Sequence, residues 1–323
     1  MSEVQGEGLV GLTEIESAAR RLAGVAVRTP LLFADAVSDA VGAEVRLKCE
    51  SLQRAGSFKI RGAYNFVSQL PDHQAEQGII TYSSGNHGQA VALAGRLRGV
   101  RVVVVMPTTA PKVKVEGVRR LGGEVVFEGT TSVERKRRAE AIAEEEELVV
   151  VPPFDHRHII AGQGTVGLEI AREWSDVDFV LAPIGGGGLA SGVAAAIKRM
   201  VPGAQVIGVE PEGAASMRAA LDNGAPTLLP SVETIADGLK PVIAGDLTFE
   251  HAEALLDDVV TVDDDAIREA TALLLNRQKL VVEFSGAATT AALLARKVDT
   301  RGAHVAAVLS GGNLDPSFLA ELA

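Results

Sequence analysis

The stretch FVLAPIGGGGLASGVAAAI, residues 179–197, reads in three pieces. Residues 179–184 form a short apolar run suited to a buried strand. Gly185, Gly186, Gly187 and Gly188 follow directly, and an Ala-rich helical segment begins at Leu189. Strand, glycine turn and helix in this order bring bare backbone N–H groups and a helix N-terminus to one point, which suits an anion. Four consecutive glycines are costly in backbone entropy. That cost favours an anion site over a plain tight turn.

The same alternation extends outward. Strand candidates lie at 79–83, 102–106, 124–127, 205–209 and 304–309, with helical segments at 89–97, 132–143, 189–200 and 266–275 between them. Repeated βαβ order predicts an α/β fold of parallel sheets flanked by helices. No long linker divides the chain. Residues 77–155 read as a small α/β lobe inserted into a larger one made of 1–76 and 156–323. Function is expected in the cleft between them, outside the strand C-termini.

A second landmark is SFKIRGA, residues 57–63, which sets Lys59 among apolar and small residues at a predicted helix start. A lysine with lowered proton affinity is a nucleophile that forms an imine with an aldehyde. In isolation, Lys59 reads as a surface lysine. If the aldehyde is pyridoxal phosphate, the chain must also hold a phosphate cradle and a partner for the pyridine nitrogen. The glycines at 185–188 are a candidate for the first, and a candidate for the second lies further downstream.

Bulk properties narrow the classes. Among 323 residues, 47% are hydrophobic and only 4% aromatic, and the formal net charge is −11. That charge argues against a nucleic acid or an anionic membrane as the main partner. The single cysteine, Cys49, permits no intrachain disulfide and no cysteine metal cluster. The polar N-terminus has no secretory pattern, and the apolar runs are short, so a soluble cytoplasmic protein is expected. GQGTVG at 162–167 matches the dinucleotide pattern, but no acidic residue closes a βαβ unit about 20 residues later. A helix-entry role is expected for it. The acidic run at 144–147 reads as a solvated face.

With these motifs in view, the chain resembles the fold-type II pyridoxal-phosphate enzymes, which share the two-lobed tryptophan synthase β-like fold. It is most similar to their serine/threonine dehydratase and serine racemase group. The resemblance rests on SFKIRGA at 57–63, SSGNHGQA at 83–90, IAGQGT at 160–165, GGGGL at 185–189, IADG at 235–238 and SGGN at 310–313. It implies that Lys59 carries the cofactor as an aldimine and moves the α-proton. Phe58 would pack beside the cofactor, Asn86 would bond the ring 3′-oxygen, and Gly185 to Gly188 would bind the phosphate. Ser310 would face the ring nitrogen. Leu189 and Gly238 of these motifs would be further cofactor contacts, as would Glu283 in the stretch 281–286, where Phe284 departs from the proline or glycine common in the family. The substrate carboxylate would be gripped by Ser83, Ser84, Gly85, Asn86 and His87. Arg135 matches a substrate-facing arginine of serine racemases, yet it opens the basic run 135–138, which reads equally as a solvated helix face.

A serine hydroxyl at the ring nitrogen does not enforce protonation as a carboxylate would, and the weaker electron sink suits β-elimination. The resemblance therefore implies dehydration and deamination of a small hydroxy amino acid, with L-threonine and L-serine ranked first. Ser84 would sit on the cofactor face opposite Lys59, where a proton donor permits inversion. Ser84 and Tyr82 also resemble the hydroxyaspartate dehydratases. Serine racemase and 3-hydroxyaspartate ammonia-lyase are thus the alternatives, with a non-catalytic pyridoxal-phosphate binder as the reading from another class. The family's metal site maps to Glu210, the Ala214 carbonyl and Ser216. Because Ser216 is no carboxylate, Mg²⁺ would lose one hard ligand, and K⁺ or no metal becomes an alternative. A homodimer or tetramer is implied. The chain stops soon after SGGN, so the C-terminal regulatory domain of biosynthetic threonine dehydratases is expected to be absent.

Overall fold

The computed structural model describes residues 8–83, 85–110 and 112–322. Its strands are β1 (Leu31–Phe33), β2 (Glu44–Cys49), β3 (Ile79–Tyr82), β4 (Val102–Met106), β5 (Glu124–Phe127), β6 (Val149–Val150), β7 (Phe179–Pro183), β8 (Gln205–Pro211), β9 (Asp258–Val262) and β10 (His304–Leu309). Among the described residues they form two sheets. A six-stranded sheet has the order β1-β2-β10-β7-β8-β9, and a four-stranded sheet has the order β5-β4-β3-β6. Every pairing is parallel except β1 with β2.

The central strands are apolar on both faces because helices cover both. Along β10, Ala306 and Val308 join one core while Val305, Ala307 and Leu309 join the other, as the two-residue period of a strand requires. Helices Leu12–Leu22, Arg157–Glu173, Gly188–Met200 and Asp246–Leu255 close the first core through Ile15, Ile160, Val193 and Phe249. Helices Asp35–Val41, Asp264–Asn276 and Phe284–Leu294 close the second through Val37, Ile267 and Ala288. In the four-stranded sheet, β4 is wholly buried, with Val102 and Val104 in one cluster and Val103 and Val105 in the other.

GQGTVG does not serve as a helix entry. It lies inside the helix Arg157–Glu173, where its glycines admit neighbouring backbones. A Cβ on Gly162 would lie 2.5 Å from the Arg61 carbonyl, and one on Gly167 would lie 2.7 Å from the Val193 carbonyl. From the facing helix, a Cβ on Gly192 would lie 2.4 Å from the Ile160 carbonyl. Close helix packing, and not phosphate binding, is what this motif achieves here.

That packing sets the helix Lys59–Val67 against the helix Arg157–Glu173, and a buried ion network holds the two together. Arg61 is fully buried and bonds Glu50 through Nε and Nη2 at 2.8 Å each and Glu169 at 2.7 and 2.9 Å. Lys48, also fully buried, gives its amine to Glu169 and to the Thr29 carbonyl, each at 2.6 Å. Burial works against the Glu50 carboxylate, yet the Arg61 guanidinium holds it below the ordinary carboxylate range. No helix among the described residues is long and apolar enough to cross a membrane.

Candidate active site

The carboxyl ends of β3, β7 and β10 face one cavity of about 440 Å³ between the two sheets. Lys59 begins its helix at the cavity wall. Its Nζ donates to the Pro153 carbonyl at 2.8 Å and lies 5.2 Å from the centre of the Phe58 ring. Burial of the amine pushes its pKa down to about 8. An ammonium without a carboxylate partner is poorly accommodated there, so the neutral, nucleophilic form gains ground.

The four glycines follow β7 and pass into the helix Gly188–Met200. Gly187 has φ +96°, which strongly favours glycine. A Cβ on Gly186 would come within 2.2 Å of the Phe154 ring, and one on Gly185 within 3.1 Å of the Gly238 carbonyl. Among the described residues, the N–H groups of Gly185, Gly186 and Gly187 have no acceptor in the protein. Bare donors at a helix N-terminus, with no room for side chains, form an anion cradle.

The Ser310 side chain reaches the cavity just beyond β10, and its carbonyl accepts the Phe58 N–H at 3.1 Å. Gly311 bridges Ser57, so the Lys59 segment and the end of β10 are tied directly. Asn86 opens the helix Asn86–Arg98. It donates to Glu283 Oε1 at 2.5 Å and accepts from Asn313 at 2.8 Å, which fixes its amide orientation. Burial, reinforced by the nearby Asp237 charge, pushes the Glu283 carboxyl up to about 7. His87 Nε2 lies 3.2 Å from the Val151 carbonyl, and burial pushes its pKa down to about 3, so its ring is neutral.

Phe58, Lys59, Ser83, Gly85, Asn86, His87, Arg135, Gly185 to Leu189, Gly238, Glu283 and Ser310 all line this cavity. Ser84 lies outside the described residues. Arg135 is buried in the cavity wall and the exposed Lys136 lines it too, while Arg137 and Arg138 are exposed on the same helix and outside the lining. Its Nη1 donates to the Thr130 carbonyl at 3.1 Å, and its buried Nε has no partner among the described residues.

Glu210, Ala214 and Ser216 are absent from the cavity lining. The Glu210 carboxylate accepts the N–H groups of Met217 and Arg218 at 2.8 Å each. With one carboxylate so engaged and Ser216 offering only a neutral hydroxyl, these residues do not match a divalent-ion site. No group of three or more His, Cys, Asp or Glu among the described residues is placed to hold a metal.

Several cavity residues escape a sequence reading. Phe154 covers the glycine turn, and Asp155 accepts the N–H groups of Asp246 and Thr248, each at 3.1 Å. Lys114 pairs with Asp237 at the cavity mouth. The prolines at 152 and 153 are the only local signal that this segment is a stiff strap.

A small aldehyde bearing a phosphate fits these features: an amine to capture it, an anion cradle, and a neutral hydroxyl at the far strand end. Comparison with known proteins agrees. Residues 22–311 match the family model described as pyridoxal-phosphate dependent enzyme. The chain is 43% identical over 311 residues to the L-threonine ammonia-lyase of Thermotoga maritima, covering 96% of this chain and 77% of that protein. It is 40% identical over 315 residues to the catabolic L-threonine dehydratase of Escherichia coli K12, covering 97% and 96%. The structure of maize serine racemase superimposes with a TM-score of 0.93 at 38% identity, over 97% of this chain and 96% of that one.

Proposed function

We propose, from the premise that this chain belongs to the family of pyridoxal-phosphate dependent enzymes, that it dehydrates and deaminates L-threonine and L-serine. The products are 2-oxobutanoate and pyruvate, with ammonia. The observation that carries the chemistry is the meeting of Lys59, the glycine turn and Ser310 around one cavity. The choice of substrate is supported by the two lyase relatives.

Pyridoxal phosphate, when bound, supplies the electron sink for the bond broken at the substrate α-carbon. The N–H groups of Gly185, Gly186 and Gly187 hold its phosphate. Lys59 Nζ would hold its aldehyde end, and the same amine, when free, would take the α-proton of the substrate. The amine's lowered pKa serves both tasks, because each needs a free lone pair. Asn86, clamped between Glu283 and Asn313, presents a fixed amide to the ring edge. Phe58, which lines the cavity, would pack beside the ring. Ser310 offers its nitrogen a neutral hydroxyl, which favours loss of a β-substituent over prolonged storage of charge. The loop of Ser83, Gly85 and His87 takes the substrate carboxylate at the N-terminus of the helix Asn86–Arg98. Arg135 adds positive charge on the same side.

Racemisation of serine is the second reading, favoured by the likeness to maize serine racemase. A homodimeric or tetrameric cytoplasmic enzyme with lobes at 77–155 and at 1–76 plus 156–323 completes the proposal. One substrate panel separates the readings: L-threonine, L-serine and both 3-hydroxyaspartate diastereomers, with 2-oxo acid and D-serine quantified. Dominant 2-oxobutanoate from L-threonine supports the lyase. Dominant D-serine from L-serine replaces it with the racemase, and turnover of none supports the non-catalytic binder.

A further inference from the structure

Thr248 lies behind the glycine turn, fully buried and outside the cavity lining. Its Oγ1 is 2.7 Å from the Gly186 carbonyl, 3.1 Å from the Gly245 carbonyl and 3.1 Å from the Gly245 nitrogen. A hydroxyl has one proton to give. The shortest contact assigns it to Gly186, leaving the oxygen to accept the Gly245 N–H. Thr248 is itself fixed, because Asp155 accepts its backbone N–H at 3.1 Å and that of Asp246 at 3.1 Å. The side chain also abuts the turn: a Cβ on Gly187 would lie 2.7 Å from Thr248 Cβ.

In a trans peptide the C=O and N–H point in opposite directions. A Gly186 carbonyl held by Thr248, on the side away from the cavity, turns the Gly187 N–H toward the cavity. Without that bond, a glycine-glycine peptide has unusual freedom to flip. We infer that Thr248 is a positioning residue for the phosphate cradle, locking the Gly186-Gly187 peptide with its N–H aimed at the anion. The inference rests on the assignment of residues 185–188 to the phosphate of pyridoxal phosphate.

The test uses two probes, pyridoxal phosphate and pyridoxal, which carry the same aldehyde but differ in the phosphate. Dissociation constants are measured on the full-length apoprotein for the wild type, Thr248→Val and Thr248→Ser. Thr248→Val should weaken pyridoxal phosphate by about tenfold, the equivalent of one lost hydrogen bond, while pyridoxal affinity is unchanged. Thr248→Ser keeps the hydroxyl and should match the wild type with both probes. Equal weakening of both probes, no weakening of either, or a serine variant as impaired as the valine one would each overturn the inference. If Thr248→Val does not fold, Thr248→Ala removes the same hydroxyl without placing a new methyl against the turn, and the same comparison applies. A wild-type protein that binds no pyridoxal phosphate would instead overturn the cofactor assignment itself.

Discussion

Lys59 Nζ donates a 2.8 Å hydrogen bond to the carbonyl of Pro153, a residue 94 positions away. The bond ties the helix Lys59–Val67 to the proline strap that follows β6. A carbonyl accepts a hydrogen bond from the neutral amine as well as from the ammonium, so this partner orients Lys59 without fixing its charge. A carboxylate in the same place would have held the lysine protonated.

The first prediction concerns pH. Capture of an aldehyde needs the neutral amine. With a pKa of about 8, the neutral fraction climbs steeply from about pH 7 to about pH 9 and flattens above. The rate at which apoprotein takes up pyridoxal phosphate should follow that curve, read as growth of visible absorbance. An ordinary lysine would keep the rate rising beyond pH 10, and such a profile would show that the amine is not perturbed.

Glu283 supplies a second pH test. Burial and the Asp237 charge push its folded-state pKa up to about 7 from the ordinary glutamate value of 4.5. Below pH 4.5 the group is neutral in both the folded and the unfolded chain and costs nothing. Between 4.5 and 7 the unfolded chain ionises first, so stability is lost as pH rises. Glu283→Gln removes that penalty while keeping an acceptor for Asn86. The melting temperature of the variant relative to the wild type should therefore increase from pH 5 to pH 8. A difference that stays flat across this window contradicts the raised pKa.

Arg61 should be far more sensitive than an exposed arginine. Arg61→Ala leaves Glu50 and Glu169 without their guanidinium, and removing one partner of a buried pair costs about 4 kcal/mol. Arg61→Lys keeps the charge but loses the planar fork that bonds both carboxylates, so it should fall between alanine and the wild type. Denaturant unfolding measures both. A loss below about 1 kcal/mol, the range of surface pairs, would mean the network is not closed to water.

Gly192→Ala tests the helix crossing that supports the site. Its Cβ would meet the Ile160 carbonyl at 2.4 Å and the Gly164 nitrogen at 2.5 Å, both backbone atoms. The helices must move apart, at a cost of about 2 kcal/mol. A helix interior otherwise prefers alanine to glycine, so a stabilised variant would disprove the close crossing.

Much of this was legible in the chain because it is local. Strands at 102–106, 124–127 and 304–309 match the sequence expectation residue for residue; 102–106 is an unbroken buried apolar run, and the other two are short β-branched runs behind a single polar residue. β2 was missed because Arg46 and Lys48 interrupt it. Lys48 is tolerated inside because Glu169, from a distant helix, and the Thr29 carbonyl both accept from its amine. β1, β6 and β9 were also missed, and the first two are only three and two residues long. The site divides in the same way. Lys59, the glycine turn and Ser310 each have a local signature, whereas Phe154, Asp155 and Thr248 gain meaning only where the chain returns to the turn. Arg135 illustrates the limit, since a basic run gives no sign of which member is buried.

The central claim is that Lys59 is the amine through which this cavity performs chemistry on hydroxy amino acids. The most direct test compares wild type and Lys59→Ala, both supplied with pyridoxal phosphate, for visible absorbance and for 2-oxobutanoate formed from L-threonine. Both signals are expected in the wild type and neither in the variant, with the variant still folded by circular dichroism. A Lys59→Ala protein that still forms 2-oxobutanoate at a comparable rate would contradict the claim.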